Sequence, residues 1–174
     1  NALFDTNIKS ISSIKDKLKI YEAKGFNDEK LFFNFLEENK IELVVIASTT
    51  IGRAKLIIKL LNIGIPYIFS EKPICSSIFE IENILSSLKI SNSNLAINHQ
   101  MRYLPQYQRV KELANEDRFG GLNSMHVVGG NFGLAMNGSH YVEAFRYMTD
   151  SYSKSVKAEL ETENEYSPRG DIFK

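Results

Sequence analysis

Lys72 and His140 are the side chains best suited to moving a proton at a substrate. Lys72 lies in Glu71-Lys72-Pro73, directly after an apolar run that reads as a strand. Pro73 restricts the residue before it and can hold a cis bond, which fixes where the lysine points. An ammonium group there can hydrogen-bond a substrate hydroxyl and tune its proton loss. The same three residues also suit a surface lysine ahead of a helix-starting proline. His140 opens a segment of helical period. Its imidazole titrates near neutral pH, which suits the loss of one proton from an alcohol. Taken alone, a histidine near a helix start is more often a core or capping group. His99 follows Asn98 at another strand end, where it can reach a ligand, although packing is the commoner use. His126 sits in a strand-like alternation and reads as structural or surface.

Asp5 follows a third apolar run, Ala2-Leu3-Phe4. In a dinucleotide fold, an acidic residue at the end of the second strand accepts hydrogen bonds from the adenosine ribose. It also repels a 2′-phosphate, which favours NAD over NADP. The competing use of Asp5 is to cap the helix that follows. The companion signal, a glycine-rich turn about 20 residues earlier, has no counterpart in the four residues ahead of Asp5.

These residues need elements that bring them to one place. Apolar positions Ile8, Ile11, Ile14 and Leu18 recur at helical spacing and predict a helix over Ile8–Leu18. A short strand at Ile20-Tyr21 and a turn at Gly25 are expected next. Asp28 is placed to cap a helix over 29–39, with Leu31, Phe32, Phe35 and Leu36 on one face. The run 43–47 is apolar and β-branched throughout, as expected of a strand buried on both faces of a parallel sheet. A polar loop, Ser48-Thr49-Thr50, leads to a helix over 53–62 that stops near Gly64. A strand over 66–69, a helix over 77–88 and a strand over 95–97 complete the rhythm. Strand–helix alternation of this kind predicts an α/β, doubly wound parallel sheet with right-handed crossovers. Ligands in such sheets sit beyond the carboxyl ends of the strands. Those ends carry Asp5, Ser48-Thr49-Thr50, Glu71-Lys72-Pro73 and Asn98-His99-Gln100.

After residue 105 the pattern changes. A helix over 105–115 is broken at Gly120-Gly121, strands are expected over 124–130 and 155–160, and a turn at 130–133 separates the first from a helix over 139–148. This reads as part of an α+β domain.

Lys plus Arg equals Asp plus Glu, 21 each. The balance argues against a surface that tracks nucleic-acid phosphates. Cys75 is the one cysteine, so neither an intrachain disulfide nor a thiolate zinc site is available, and a reducing, cytoplasmic setting is expected. The longest apolar stretch, 56–69, is interrupted by Lys59, Asn62, Gly64 and Pro66, short of the roughly 18 residues a membrane span needs. No secretory leader is visible, and no membrane partner is expected. The chain opens on Asn1 within a strand remnant and closes on a turn-like stretch, which points to a fragment of a longer protein.

Val44-Val45-Ile46-Ala47-Ser48-Thr49-Thr50 followed by Glu71-Lys72-Pro73 resembles the glucose–fructose oxidoreductase / inositol dehydrogenase (Gfo/Idh/MocA) family. Asn98-His99-Gln100-Met101-Arg102-Tyr103-Leu104-Pro105 is similar to that family's Asn-x-x-x-Arg-x-x-Pro signature. Phe119-Gly120-Gly121-Leu122 matches its entry to the second domain, and 138–147 is similar to its histidine-bearing substrate helix. Four motifs occur in order between Asp5 and about Asp150. The resemblance implies a dinucleotide-binding (Rossmann) domain over 1–117, lacking its first strand and glycine-rich loop. It implies a substrate and oligomerisation domain over 118–174 with an open sheet that often pairs subunits. It further implies an NAD(P)-dependent dehydrogenase or reductase, with NAD favoured, acting on a hydroxyl carbon of a sugar, inositol or nucleotide sugar.

By the same resemblance Asp5 would contact the adenosine ribose, and Ser48, Thr49 and Thr50 would line the cofactor's passage. Glu71 would stand on the nicotinamide side, and Asn98 would contact the cofactor and, with Arg102, shape the site between the domains. Lys72 would bind the reacting hydroxyl, with Arg102 and Asn137 shaping the substrate site. His140 would share that hydroxyl and act as the acid/base. No metal is implied. Two positions depart from the family pattern. Met136 stands where many members have an aspartate four residues before the helix histidine, and methionine cannot take a proton. Arg53 stands where many have a histidine. The alternative these departures motivate is a non-catalytic homologue that binds a nucleotide or sugar.

Overall fold

The computed structural model describes residues 1–129 and 137–159. Five short strands alternate with helices: β1 (Ala2–Phe4), α1 (Ile8–Leu18), β2 (Lys24–Phe26), α2 (Glu29–Glu38), β3 (Leu43–Ile46), α3 (Arg53–Asn62), β4 (Tyr67–Ser70), α4 (Ile78–Ile90) and β5 (Asn94–Ile97). A 3₁₀ turn at Gln100–Tyr103 leads into α5 (Pro105–Ala114), and α6 (Ser139–Thr149) follows the segment that is not described.

Every strand pairing is parallel, but the strands form two sheets. β1 pairs with β2, and β3, β4 and β5 form a second sheet in that order. Parallel neighbours need crossovers, and α1, α3 and α4 supply them. The helix starts are local chemistry. Asn7, Asp28 and Ser77 accept from the backbone N–H groups of Lys9, Leu31 and Glu80 at 3.0, 2.9 and 3.2 Å, satisfying donors that a helix leaves free. Asp5 is therefore not the cap of α1.

The core lies where α2, α3 and α4 meet the inner face of the three-stranded sheet. Ile57, Leu60, Ile68 and Ile84 are fully buried there, with Leu36, Ile46, Ala54, Leu61 and Ile65 around them. The aromatic rings of Phe4, Phe26, Phe32 and Phe35 pack at centroid separations of 5.1–5.8 Å and join the smaller sheet to α2.

Five sequence expectations are corrected. The second strand is Lys24–Phe26, not Ile20-Tyr21, and Gly25 lies inside it instead of turning the chain. A Cβ on Gly25 would meet Ile11 of α1 at 2.8 Å, so the glycine is there for close approach. The run at β3 is buried on one face only: Val44 and Ile46 face the core, while Leu43 and Val45 are more than half exposed. The described part of the expected strand over 124–130 forms no strand, and neither does that of 155–160. Alternating residues become a strand only where a partner offers its backbone groups, and no described segment pairs with these. The expected turn at 130–133 lies outside the described residues. No helix among the described residues is long and apolar enough to cross a membrane.

Candidate active site

The carboxyl ends of β3, β4 and β5 converge because the strands are parallel and in register, with Ile46 opposite Ser70 and Ser70 opposite Ile97. The residues that follow are Ser48–Thr50, Glu71–Pro73 and Asn98–His99. The backbone continues to tie them together: Glu71 N donates to Ile46 O at 2.9 Å, and Asn98 N donates to Ser70 O at 2.8 Å. The Asn98 amide also donates to a Glu71 carboxylate oxygen at 2.6 Å, bridging two strand ends.

Arg53 binds these ends from below. It sits in the first turn of α3, after Gly52 at φ +80°, and is 3% exposed. Its guanidinium donates to three backbone carbonyls: Glu71 at 3.0 Å, and Pro73 and Ser48 in closer contacts. Burial pushes its pKa down, and the nearby Glu71 carboxylate opposes that. The structural role of Arg53 was not visible in the sequence, where it stood out only by replacing a histidine. Its partners are carbonyls, which every residue has, so no residue type announces them.

Lys72 is half-buried, and the Lys72-Pro73 bond is cis, as the motif allows. The structure brings the charge of Lys72 to bear on His140, although 68 positions separate them in the chain. His140 is 8% exposed on the first turn of α6. Burial is the main cause holding its pKa below the ordinary imidazole value, with the Lys72 ammonium and His99 adding to it and Glu71 opposing. His99 lies against it, ring edge to ring face, with centroids 5.7 Å apart and an 86° angle between planes. The pKa of His99 is also lowered, chiefly by burial. Among the described residues, His99 Nε2 and His140 Nδ1 are buried without a hydrogen-bond partner, as are Ser139 Oγ and Glu143 Oε2 on the same helix.

Arg102 reaches α6 as well. It forms an ion pair with Glu143 and lies over the Tyr147 ring at 5.5 Å. Glu143 was quoted in the sequence only as part of a motif; here it is the partner of an expected substrate-binding arginine. Asn137 is half-buried in the turn before α6. Asp5 stands apart from this cluster, at the end of the smaller sheet. It is exposed, and its carboxylate accepts from Asn7 N–H at 2.7 Å. Ser48 and Thr49 are exposed and Thr50 is half-buried. Two surface grooves, of about 510 and 410 Å³, lie between α2 and α3 and on the open face of the larger sheet, and neither includes Lys72 or His140. Among the described residues no group of three or more His, Cys, Asp or Glu could hold a metal ion.

Parallel strands, helical crossovers and polar strand ends define a Rossmann-type α/β fold. It is the fold of Gfo/Idh/MocA-type oxidoreductases, and Gal80 regulators share it. No family model matches the chain. Among curated proteins, the galactose/lactose metabolism regulatory protein GAL80 of Saccharomyces cerevisiae is 24% identical, over 90% of this chain and 42% of its own length. A super-repressor form of the same protein, Gal80p, superposes with a TM-score of 0.73 at 22% identity, covering 87% of this chain and 45% of that one. An oxidoreductase from Agrobacterium radiobacter, solved with NAD+, L-tartaric acid and magnesium, superposes at 0.66 with 18% identity over 84% of this chain and 46% of its own. The apo scyllo-inositol dehydrogenase of Lactobacillus casei superposes at 0.66 with 22% identity over 85% and 46%. The chain spans less than half the length of the curated relatives it matches.

Proposed function

We propose that this chain belongs to a nicotinamide-dependent oxidoreductase, NAD preferred, that moves a hydride to or from a hydroxyl carbon of a sugar-like alcohol. The observation that carries the proposal is the burial of His140 against His99 at the strand-end cluster, where the Lys72 charge bears on it. A buried imidazole held neutral beside an ammonium group is suited to take a hydroxyl proton at neutral pH. In this reading residues 1–117 hold the dinucleotide, and 118–174 complete the substrate site and pair subunits through a sheet.

The donor set is compatible with a dinucleotide. Asp5 offers an exposed carboxylate to a ribose diol, and Ser48, Thr49 and Thr50 offer hydroxyls along the strand ends. The Glu71 and Asn98 side chains, linked at 2.6 Å, present an acceptor and an amide on the nicotinamide side. A bound nicotinamide would supply the hydride acceptor, which no side chain can be. Lys72 binds the substrate hydroxyl and stabilises charge on its oxygen as the proton leaves. His140 receives that proton. Arg102, braced by Glu143, and Asn137 orient the remaining hydroxyls. Holding the reacting groups in place is itself a large part of the rate.

The test is NAD binding by calorimetry on the full-length protein, followed by NADH absorbance with a panel of sugars, inositols and nucleotide sugars. Binding with reduction of NAD by one class of polyol is the expected result. A second reading, a non-catalytic nucleotide- or sugar-binding homologue, draws on two observations: the GAL80 relatives are named as regulatory proteins, and Met136 replaces an acidic residue. NAD binding without turnover on any member of the panel would establish that reading in place of the first.

A further inference from the structure

His99 has no assigned part in the proposed reaction, yet it is the residue that packs ring to ring with His140. The two arrive from different elements. His99 is carried by the turn after β5, where its own N–H donates to Ile97 O at 2.9 Å, and His140 by the first turn of α6. Their rings meet at 86° with centroids 5.7 Å apart. Each keeps one nitrogen buried without a partner, His99 Nε2 and His140 Nδ1. A buried polar atom left unpaired is costly, so such an arrangement calls for an explanation.

We propose that His99 and His140 act as one proton-holding pair in which His99 sets the orientation and charge state of His140, a refinement that rests on the catalytic reading of His140. Two imidazoles in edge-to-face contact cannot both carry a proton without strong repulsion. While His99 stays neutral its ring fills the space beside His140 and limits the planes the His140 ring can take. A proton arriving from substrate on His140 therefore bars a second proton from His99, and the pair carries one positive charge at a time. The charged neighbours set the balance. Lys72, after β4, disfavours protonation of both rings, and Glu71 on the same segment favours it. Glu143 on α6 favours protonation of His99, and Arg102, on the 3₁₀ turn and paired with Glu143, disfavours it.

The chain has three histidines, so imidazole C–H signals in a proton NMR titration can be assigned by single substitution. His99→Phe keeps an aromatic ring against His140 and removes the proton site; His99→Asn serves if the first variant misfolds. In the native protein the His140 signal is expected to titrate below the ordinary imidazole range, in a broadened curve or in two steps. In either variant it becomes a single-step curve with a higher midpoint, still below the ordinary imidazole range because burial and the Lys72 charge remain. If the catalytic reading also holds, the acid limb of kcat moves with that midpoint while the KM for NAD stays within about twofold. An identical His140 curve in native protein and folded variant would overturn the pair, with or without turnover. A shifted curve in a protein that oxidises no alcohol leaves the pair standing and removes its catalytic setting, so the two ideas fail separately.

Discussion

The two parallel sheets are built from the same unit and finished in opposite ways. The smaller sheet, β1–β2, ends at Asp5, an exposed carboxylate already engaged by the N–H of Asn7. Its strength lies behind that end, in the packed rings of Phe4, Phe26, Phe32 and Phe35. The larger sheet, β3–β5, ends in groups that reach across strands, Arg53 to three carbonyls and Asn98 to Glu71, and the Lys72 charge bears on two imidazoles, His140 buried and His99 half-buried. Among the described residues five buried polar atoms near that end have no hydrogen-bond partner: Arg53 Nε, His99 Nε2, His140 Nδ1, Ser139 Oγ and Glu143 Oε2. A finished end caps its own chain; an end with buried, unpaired polar atoms is where chemistry is to be sought.

The contrast can be broken most sharply at Lys72. Lys72→Met is expected to lower turnover by about 10²–10⁴-fold with little change in thermal midpoint, because the loss is one of proton handling. Equal activity in the variant would remove the larger sheet's claim to the chemistry. Arg53→Met leaves three backbone carbonyls without their donor and should cost about 1–3 kcal/mol, read from the urea midpoint at constant m. The matched change at the other sheet, Asp5→Ala, should stay within about 0.5 kcal/mol, as exposed positions do. Similar losses at both positions would erase the difference in how the ends are held.

Asp5→Asn keeps an acceptor for Asn7 N–H and removes the charge. On the proposed cofactor role it weakens NAD by about tenfold and narrows the preference over NADP, measured by titration calorimetry, with stability unchanged. An unaltered NAD affinity would leave Asp5 as a turn residue only. The smallest effect expected is on stability against pH. Burial depresses the imidazole pKa of both His99 and His140 below the ordinary 6.5. The unfolded chain then binds more protons than the folded one in that range, so stability is full above about pH 6.5 and falls as acid drives protons onto the buried rings. Urea midpoints at about pH 7.5 and about pH 5.5 should show a drop in the native protein that shrinks in His99→Phe.

Much of the fold was legible because it is local. The 3- and 4-residue spacing of Ile8, Ile11, Ile14 and Leu18 places α1, and a side chain three positions from its target does the capping at Asp28. Expectations failed where an element depends on a distant surface. Gly25 reads as a turn until Ile11 is seen packed against it, and β3 reads as two-sided because an apolar run does not reveal which neighbours cover it. At the site, the Glu71-Lys72-Pro73 and Asn98 segments could be placed at strand ends from alternation alone. Arg53 and Glu143 could not be given partners, since one binds carbonyls that every residue carries and the other lies 41 positions from Arg102.

The order of residues by itself determined that the strands would run parallel and that their polar ends would share an edge, because alternation of strand and helix admits few other arrangements. Only the tertiary structure decided that the imidazole of His140 would be buried beside Lys72 and against His99. The ring contact between residues 41 positions apart, and the effect of a charge 68 positions away, depend on how α6 docks, and docking is set by surfaces that no short stretch of chain contains.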